Sequence, residues 1–184
     1  MCIRDRLEYF YNKRRRLIID HQSPQYSKTM QVPSILNLPD QIQVQGIIPE
    51  DYDSDQLGIV IVDHGSRRDE SNQYVKQIAQ MFRQQTDFKI VEAAHMELAA
   101  PDIDTAYQSC VAQGARYIVV HPYFLAPGRH WQEDIPELAR MASEKHPNTA
   151  CVVTPPLGIH EAMIQIMSTR VQNALPSTSE TTNG

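Results

Sequence analysis

The sequence has few cysteines, no excess of basic residues and no long apolar run. Cys2, Cys110 and Cys151 lack metal-site spacing, and their odd number argues against a disulfide framework, so we expect a reducing compartment. Lysine and arginine total 17 against 22 acidic residues, which disfavours a dedicated nucleic-acid binder. No apolar stretch approaches the roughly 20 residues of a membrane span, so we do not expect an integral membrane protein.

The first 56 residues show no sustained apolar periodicity. They contain a basic run at 13–16, scattered prolines and an acidic run at 51–55. They lack a secretory apolar segment, and their acidic residues disfavour an organelle transit peptide. We predict an irregular N-terminal arm over 1–56, a folded domain over 57–175 and a short disordered tail over 176–184.

Residues 57–175 alternate between short apolar runs and amphipathic stretches. The apolar runs have the length of strands and occupy residues 57–62, 88–93, 117–124 and 150–153. Apolar residues at helical spacing follow them within residues 74–82, 103–111, 135–142 and 159–171. The order βαβαβαβα predicts an α/β domain, with a four-stranded parallel sheet and helices on both faces.

The loops after the four predicted strands are the expected location of a site, because ligands bind beyond the carboxyl ends of open parallel sheets. Each loop contains a histidine, namely His64, His95, His130 or His160. Gly65 lets the backbone turn sharply after His64 and admits a ligand closely. A single histidine at such a place is equally consistent with a helix cap, but four on one edge favour a shared function.

The residue types in these loops indicate a metal and an anionic ligand. Neutral imidazoles suit iron, cobalt or nickel better than magnesium or calcium. Glu97 is a candidate second ligand or proton acceptor, or alternatively a solvated acid. Arg67, Arg68 and Arg129 make the same edge positive and are natural partners of carboxylates. We predict a polyanionic ligand that receives or carries a metal.

Other polar residues near these loops admit structural interpretations. His121 lies inside the third apolar run and is predicted to be a hydrogen-bonded core residue. His146 suits the C-terminal end of a helix. Asp134 either caps a helix or balances its charge, and Trp131 either packs in the core or stacks on a flat ligand.

The strand-end motifs follow one another in a familiar order. They are HGSRR at 64–68, HMELA at 95–99, PYFL at 122–125, PGRHW at 127–131, EDIP at 133–136 and PLG at 156–158. These motifs resemble those of the sirohydrochlorin chelatase family in its short, single-domain form, and the chain looks most like the sirohydrochlorin ferrochelatases of plants and cyanobacteria. The resemblance covers residues 57–175 and does not reach the first 56.

This resemblance implies insertion of Fe²⁺ or Co²⁺ into sirohydrochlorin, on the routes to siroheme and cobalamin. His64 and His130 match the two family histidines that bind the incoming metal, and Glu97 matches an acidic position near that metal. We therefore predict these three as catalytic residues. The substrate is a polycarboxylate, and its predicted binding residues in the same loops are Arg67, Arg68, Arg129, His95 and His160.

The resemblance also sets expectations for partners and cofactors. The short form resembles one half of longer two-domain chelatases, so a homodimer around the cleft is expected. Plant members carry a cysteine-rich C-terminal extension with an iron–sulfur cluster, whereas residues 177–184 contain no cysteine. We predict no cluster, no permanently bound cofactor, and no nucleic-acid or membrane partner. The expected compartment is the cytoplasm, or the plastid stroma if the source is a photosynthetic eukaryote.

Three other functions fit parts of the pattern. The first is a non-catalytic metal or tetrapyrrole carrier on the same fold. The second is a phosphoryl-transfer enzyme with His64 as nucleophile, but Asp63 stands where such enzymes need an arginine before the His-Gly pair. The third, a serine hydrolase using Ser66, lacks the G-x-S-x-G elbow.

Overall fold

The computed structural model describes residues 41–176, which form a five-stranded sheet flanked by helices. The strands are β1 (Ile42–Gln45), β2 (Leu57–Asp63), β3 (Ile90–His95), β4 (Tyr117–Pro122) and β5 (Ala150–Val153). The helices are α1 (Asp69–Gln85), α2 (Ile103–Ala112), α3 (Ile135–Glu144) and α4 (Glu161–Ala174). A 3₁₀ turn, Ser54–Gln56, precedes β2, and a π-helical turn, His130–Asp134, leads into α3.

The sheet is centred on β2, and its strand order is β1-β5-β4-β2-β3. β2 pairs in parallel with β3 on one side and with β4 on the other, and β4 pairs in parallel with β5. Residues 57–62 are all buried. A strand covered on both faces needs apolar residues at every position, which explains the uninterrupted run in the sequence. The predicted α/β class and the four parallel strands are confirmed.

The predicted count of four strands is one too low. β1 pairs antiparallel with β5 at the sheet edge, where Ile42 lies opposite Val153. It falls within residues 1–56, for which we predicted an irregular arm. Four residues at an edge give too short an alternation to stand out in a sequence. The predictions for residues 1–40 and 177–184 concern segments outside the described residues.

Helices cover both faces of β2. Ile59 and Ile61 face α1, where they pack with Val75 and Ala79 in one apolar cluster. Gly58, which points to the other face, lies so close to α2 that an added Cβ would be 2.9 Å from the Cβ of Cys110. The alternation of side chains along the strand therefore divides the core into two layers.

The two cysteines of the described residues belong to the core. Cys110 and Cys151 are both free and fully buried. Burial disfavours the thiolate and raises the pKa of each thiol to about 12. Neither side chain is therefore suited to act as a nucleophile or a metal ligand. Within residues 41–176, no helix is both long and apolar enough to cross a membrane.

Candidate active site

The carboxyl edge of the sheet brings two distant histidines together. His64 follows β2 directly, and His130 begins the π-helical turn after β4. Their imidazole rings are 5.3 Å apart between centroids and are inclined at 72° to each other. The two predicted metal-binding residues therefore form an adjacent pair, although the chain separates them by two β-α units.

Glu97 lies beside the first of these histidines. Its Oε1 is 2.9 Å from Nε2 of His64, and the two side chains are 53% and 41% exposed. Two backbone hydrogen bonds hold their loops together, from Met96 N to the Asp63 carbonyl and from Glu97 N to the His64 carbonyl. The parallel pairing of β2 and β3 thus continues beyond the strands and places Glu97 at the histidine pair.

Gly65 makes this close approach of the two loops possible. Its φ is +84°, a left-handed conformation that side chains with a Cβ rarely adopt. A Cβ at this position would lie 2.0 Å from the carbonyl oxygen of Glu97. Its amide also donates to Oδ1 of Asp63 at 3.0 Å. The sharp turn predicted after His64 is therefore present and requires glycine.

Asp134 holds His130 from within the same turn. Its Oδ2 is 2.7 Å from Nδ1 of His130, and the Phe124 ring stacks on the imidazole with a centroid separation of 6.4 Å. The two interpretations of Asp134 from the sequence, as helix cap or charge balance, both missed this contact. Residues four apart lie on the same face of a helical turn, and this spacing brings Asp134 beside the His130 ring.

Trp131 packs in the core, which is one of the two alternatives predicted for it from the sequence. The side chain is 3% exposed, and its Nε1 donates to the Thr154 carbonyl at 2.9 Å. His121 is also hydrogen-bonded as predicted, with Nδ1 2.7 Å from Oγ1 of Thr154. Burial disfavours its charged form and lowers the pKa of His121. Trp131 is therefore not a surface feature of the site, and His121 is half-buried.

The structure does not support the prediction that His95 contacts the substrate. The ring is 0% exposed, and its Nδ1 is 2.6 Å from Oδ1 of Asp63. β3 extends two residues further than predicted, so His95 ends the strand instead of lying in the loop. Its Nε2 is buried without a hydrogen-bond partner within residues 41–176. His95 instead ties β3 to the residue that precedes His64.

The other predicted substrate residues are exposed. Arg67 and Arg68 lie in the loop after β2, and Arg129 pairs with Glu133 at 3.2 Å, where both side chains remain largely in solvent. Exposed pairs of this kind contribute little stability, so Arg129 is available to an anionic ligand. His160 is the N-cap of α4, where Nδ1 accepts from the Ala162 amide. Its contact with substrate remains a prediction.

Asn72 is a site-supporting residue that the sequence analysis missed. It is buried in the first turns of α1, and its amide group forms two hydrogen bonds with the backbone of Ser66. These bonds fix the loop that carries His64 and both arginines. A single asparagine six residues after the loop gives no recognisable signal, because its role depends on where α1 begins.

Within residues 41–176, no three His, Cys, Asp or Glu side chains are grouped to hold a metal ion. The arrangement available to a cation is thus the His64–His130 pair, with Glu97 hydrogen-bonded to its first member. Such a pair leaves most coordination positions to other ligands. It suits transient binding better than the closed four-ligand cage of a structural metal.

Comparison with known sequences identifies the family. The sequence model of the CbiX family matches residues 58–174, which is well over half of the chain. This chain belongs to the CbiX family. The match begins one residue into β2 and ends at the last residue of α4, so it covers all four parallel strands and the site loops.

Several proteins of similar sequence are named sirohydrochlorin chelatases. The chain is 47% identical over 121 residues to the chloroplastic sirohydrochlorin ferrochelatase of Arabidopsis thaliana, covering 66% of this chain and 54% of that protein. It is 30% identical to the sirohydrochlorin cobaltochelatase of Sulfolobus acidocaldarius, and this match covers 65% of this chain and 93% of that protein. The solved structure of SirB from Bacillus subtilis with Fe³⁺ matches with a TM-score of 0.62 and 28% identity. This match covers 66% of the present chain and 48% of the SirB chain.

Proposed function

We propose that this protein inserts Fe²⁺ or Co²⁺ into sirohydrochlorin. The observation that carries the proposal is the His64–His130 pair at the carboxyl edge of the sheet, with Glu97 on His64. The chain spans about half the length of the Arabidopsis relative, so the activity in that relative's name supports the proposal without establishing it. The Sulfolobus relative, which the chain covers almost entirely, is named for the same substrate.

The site chemistry suits insertion of a divalent cation. Imidazole binds borderline metals firmly enough to position them, and a two-histidine site leaves coordination positions for the ring nitrogens of the macrocycle. The pyrrole protons must leave as the metal enters. Glu97 is exposed and hydrogen-bonded to His64, so this pair is the candidate acceptor for those protons.

The exposed arginines suit the acidic substituents of the macrocycle. Arg67, Arg68 and Arg129 occupy the same loops as the histidines, and their guanidinium groups match carboxylates in charge and geometry. They would orient the macrocycle over the histidine pair. The cation in this account is a substrate, and we propose no permanently bound cofactor.

Turnover by the purified protein tests this function. Under anaerobic conditions, sirohydrochlorin with Fe²⁺ or Co²⁺ should lose its metal-free absorption spectrum faster with the protein than without it. Product should exceed the molar amount of protein many times over. No acceleration, or product limited to one equivalent of protein, would contradict catalysis, and the second result would favour the carrier alternative.

We also propose that the protein acts as a homodimer through α4. No residue of α4 is buried, and Ile164, Met167 and Val171 form an apolar stripe with exposed fractions of 61%, 61% and 59%. An exposed apolar surface of this kind marks an interaction site. The match covers about half of the SirB chain. A second copy of the present chain would take the place of the half of SirB that is not matched.

The mass in solution tests the dimer. We expect the wild-type protein at twice the 21.0 kDa of one chain and the Ile164→Asp/Met167→Asp variant at the single-chain mass, measured by light scattering. Gln165→Glu, which adds a charge elsewhere on the exposed surface of α4, should remain dimeric. A wild-type protein at the single-chain mass would overturn the proposal.

The compartment, cytoplasm or plastid stroma, also remains a prediction.

A further inference from the structure

The two imidazoles of the site are held by carboxylates through different nitrogens. His130 faces Oδ2 of Asp134 with Nδ1 at 2.7 Å, whereas His64 faces Oε1 of Glu97 with Nε2 at 2.9 Å. An ionised carboxylate can only accept a hydrogen bond, so the ring nitrogen that faces it carries a proton. The lone pair of each neutral imidazole therefore lies on the opposite nitrogen.

Only one of the two lone pairs is available to a cation in this arrangement. For His64 it would lie on Nδ1, but this nitrogen is 3.3 Å from the carbonyl oxygen of Gly65, a second acceptor, so no lone pair of His64 is open to a cation. For His130 it lies on Nε2, for which residues 41–176 provide no hydrogen-bond partner, on a side chain that is 47% exposed. His64 can offer Nε2 to a metal only in its other tautomer, with the proton on Nδ1 directed at the Gly65 carbonyl, and after its contact with Glu97 opens.

The fold holds Asp134 beside His130. Both residues belong to the π-helical turn, and this turn is anchored by neighbours in the core. Trp131 is 3% exposed and bonded to the Thr154 carbonyl, and Ile135 is 0% exposed. The carboxylate is therefore positioned by buried groups on both sides of it along the chain. This is the arrangement by which a carboxylate orients a metal-binding histidine.

Building on the proposed function, we infer that Asp134 is a positioning residue for metal delivery. It keeps His130 in the tautomer with the proton on Nδ1, and it thereby makes Nε2 of His130 the first protein ligand of the incoming cation. His64 binds the same cation second, when its contact with Glu97 opens and its proton lies on Nδ1 instead of Nε2. Asp134 itself touches neither the metal nor the macrocycle.

Cobalt binding to the full chain in the absence of sirohydrochlorin tests the role of Asp134. We expect Asp134→Asn to weaken Co²⁺ binding by about 10–100-fold, the range typical for loss of a carboxylate behind a metal-binding histidine. Asp134→Glu should recover part of this loss. The matched control is Glu133→Gln, which removes the same charge from the same turn but bonds only to Arg129. Its affinity for Co²⁺ should change less than about twofold.

Two further measurements separate positioning from a merely structural role. Nitrogen-15 spectra of the wild-type histidines should show the Nδ1–H tautomer for His130, assigned by its absence in His130→Gln, and Asp134→Asn should shift this equilibrium. In insertion assays, Asp134→Asn should lower kcat while the KM for sirohydrochlorin stays unchanged. The wild-type spectrum decides the question even if the Asp134 variants fold poorly.

The outcomes distinguish this inference from the proposed function. Equal Co²⁺ affinities for Asp134→Asn and Glu133→Gln, or a wild-type His130 protonated on Nε2, would overturn the role of Asp134 even if insertion proceeds normally. Conversely, if the predicted affinities and tautomer are found but sirohydrochlorin is never metallated, the positioning role stands and the proposed reaction fails.

Discussion

Replacing His130 with alanine is expected to reduce the rate of metal insertion by more than about 100-fold. Loss of a residue that merely supports a metal ligand costs about 10–100-fold, and loss of the ligand itself should cost more. His64→Ala should have an effect of similar size, because the two rings lie side by side with centroids 5.3 Å apart. The measurement is the initial rate of insertion at saturating sirohydrochlorin, with Fe²⁺ and with Co²⁺.

His146→Ala provides the matched control for these two variants. His146 lies between α3 and β5, at the opposite edge of the sheet from the site, and its ring stacks on Tyr107. Its removal should leave the insertion rate nearly unchanged. If His130→Ala and His64→Ala are folded and insert metal as fast as His146→Ala does, neither imidazole delivers the cation.

Gly65→Ala is expected to cause the second large loss. The substitution forces a Cβ to within 2.0 Å of the Glu97 carbonyl oxygen, at a position where φ is +84°. The left-handed conformation alone costs roughly 1–2 kcal/mol for a residue with a Cβ. The clash with a backbone atom cannot be relieved by a rotamer change, so the two loops must separate. We expect insertion to fall by more than about 10-fold because His64 and Glu97 move apart.

Gly128→Ala is the control for this substitution. Gly128 lies in the loop before His130, but an added Cβ there would meet no atom within 4 Å. The thermal stability and insertion rate of the Gly128→Ala variant should remain close to those of the wild-type protein. For the Gly65→Ala variant we expect the thermal stability and the insertion rate both to fall, as measured by thermal unfolding and by the insertion assay. Wild-type values for both would show that the loops do not need this close contact.

The sequence predicts the central strands of this fold well, for a physical reason. A strand buried on both faces, such as Leu57–Asp63, has no polar positions and stands out as a continuous apolar run. The edge strand Ile42–Gln45 alternates over four residues and partners a strand far away in the chain, so no local signal distinguishes it from a loop. The buried strands are enough to predict the α/β class. The exact strand count also requires the short edge strand, which the sequence does not reveal.

The candidate site follows from topology only in part. The rule that parallel strands present their carboxyl ends at one edge predicts that His64 and His130 meet, and the rings do lie together. The same rule fails for His95, because a strand end displaced by two residues turns a loop side chain into a buried one. The roles of Asp63 and Asp134 depend on the rotamers of these side chains and of their histidine partners, which a residue pattern does not encode.

Two imidazoles on one cation are the chemistry on which the proposed function depends. Cobalt-edge X-ray absorption of the Co²⁺-loaded protein counts these ligands directly. We expect the wild-type spectrum to contain two imidazole groups at metal–nitrogen distances of about 2.1 Å, as found for histidine-bound divalent metals. His64→Ala and His130→Ala should each contain one group fewer. A wild-type spectrum without imidazole, or identical spectra for all three proteins, would contradict metal delivery by this histidine pair.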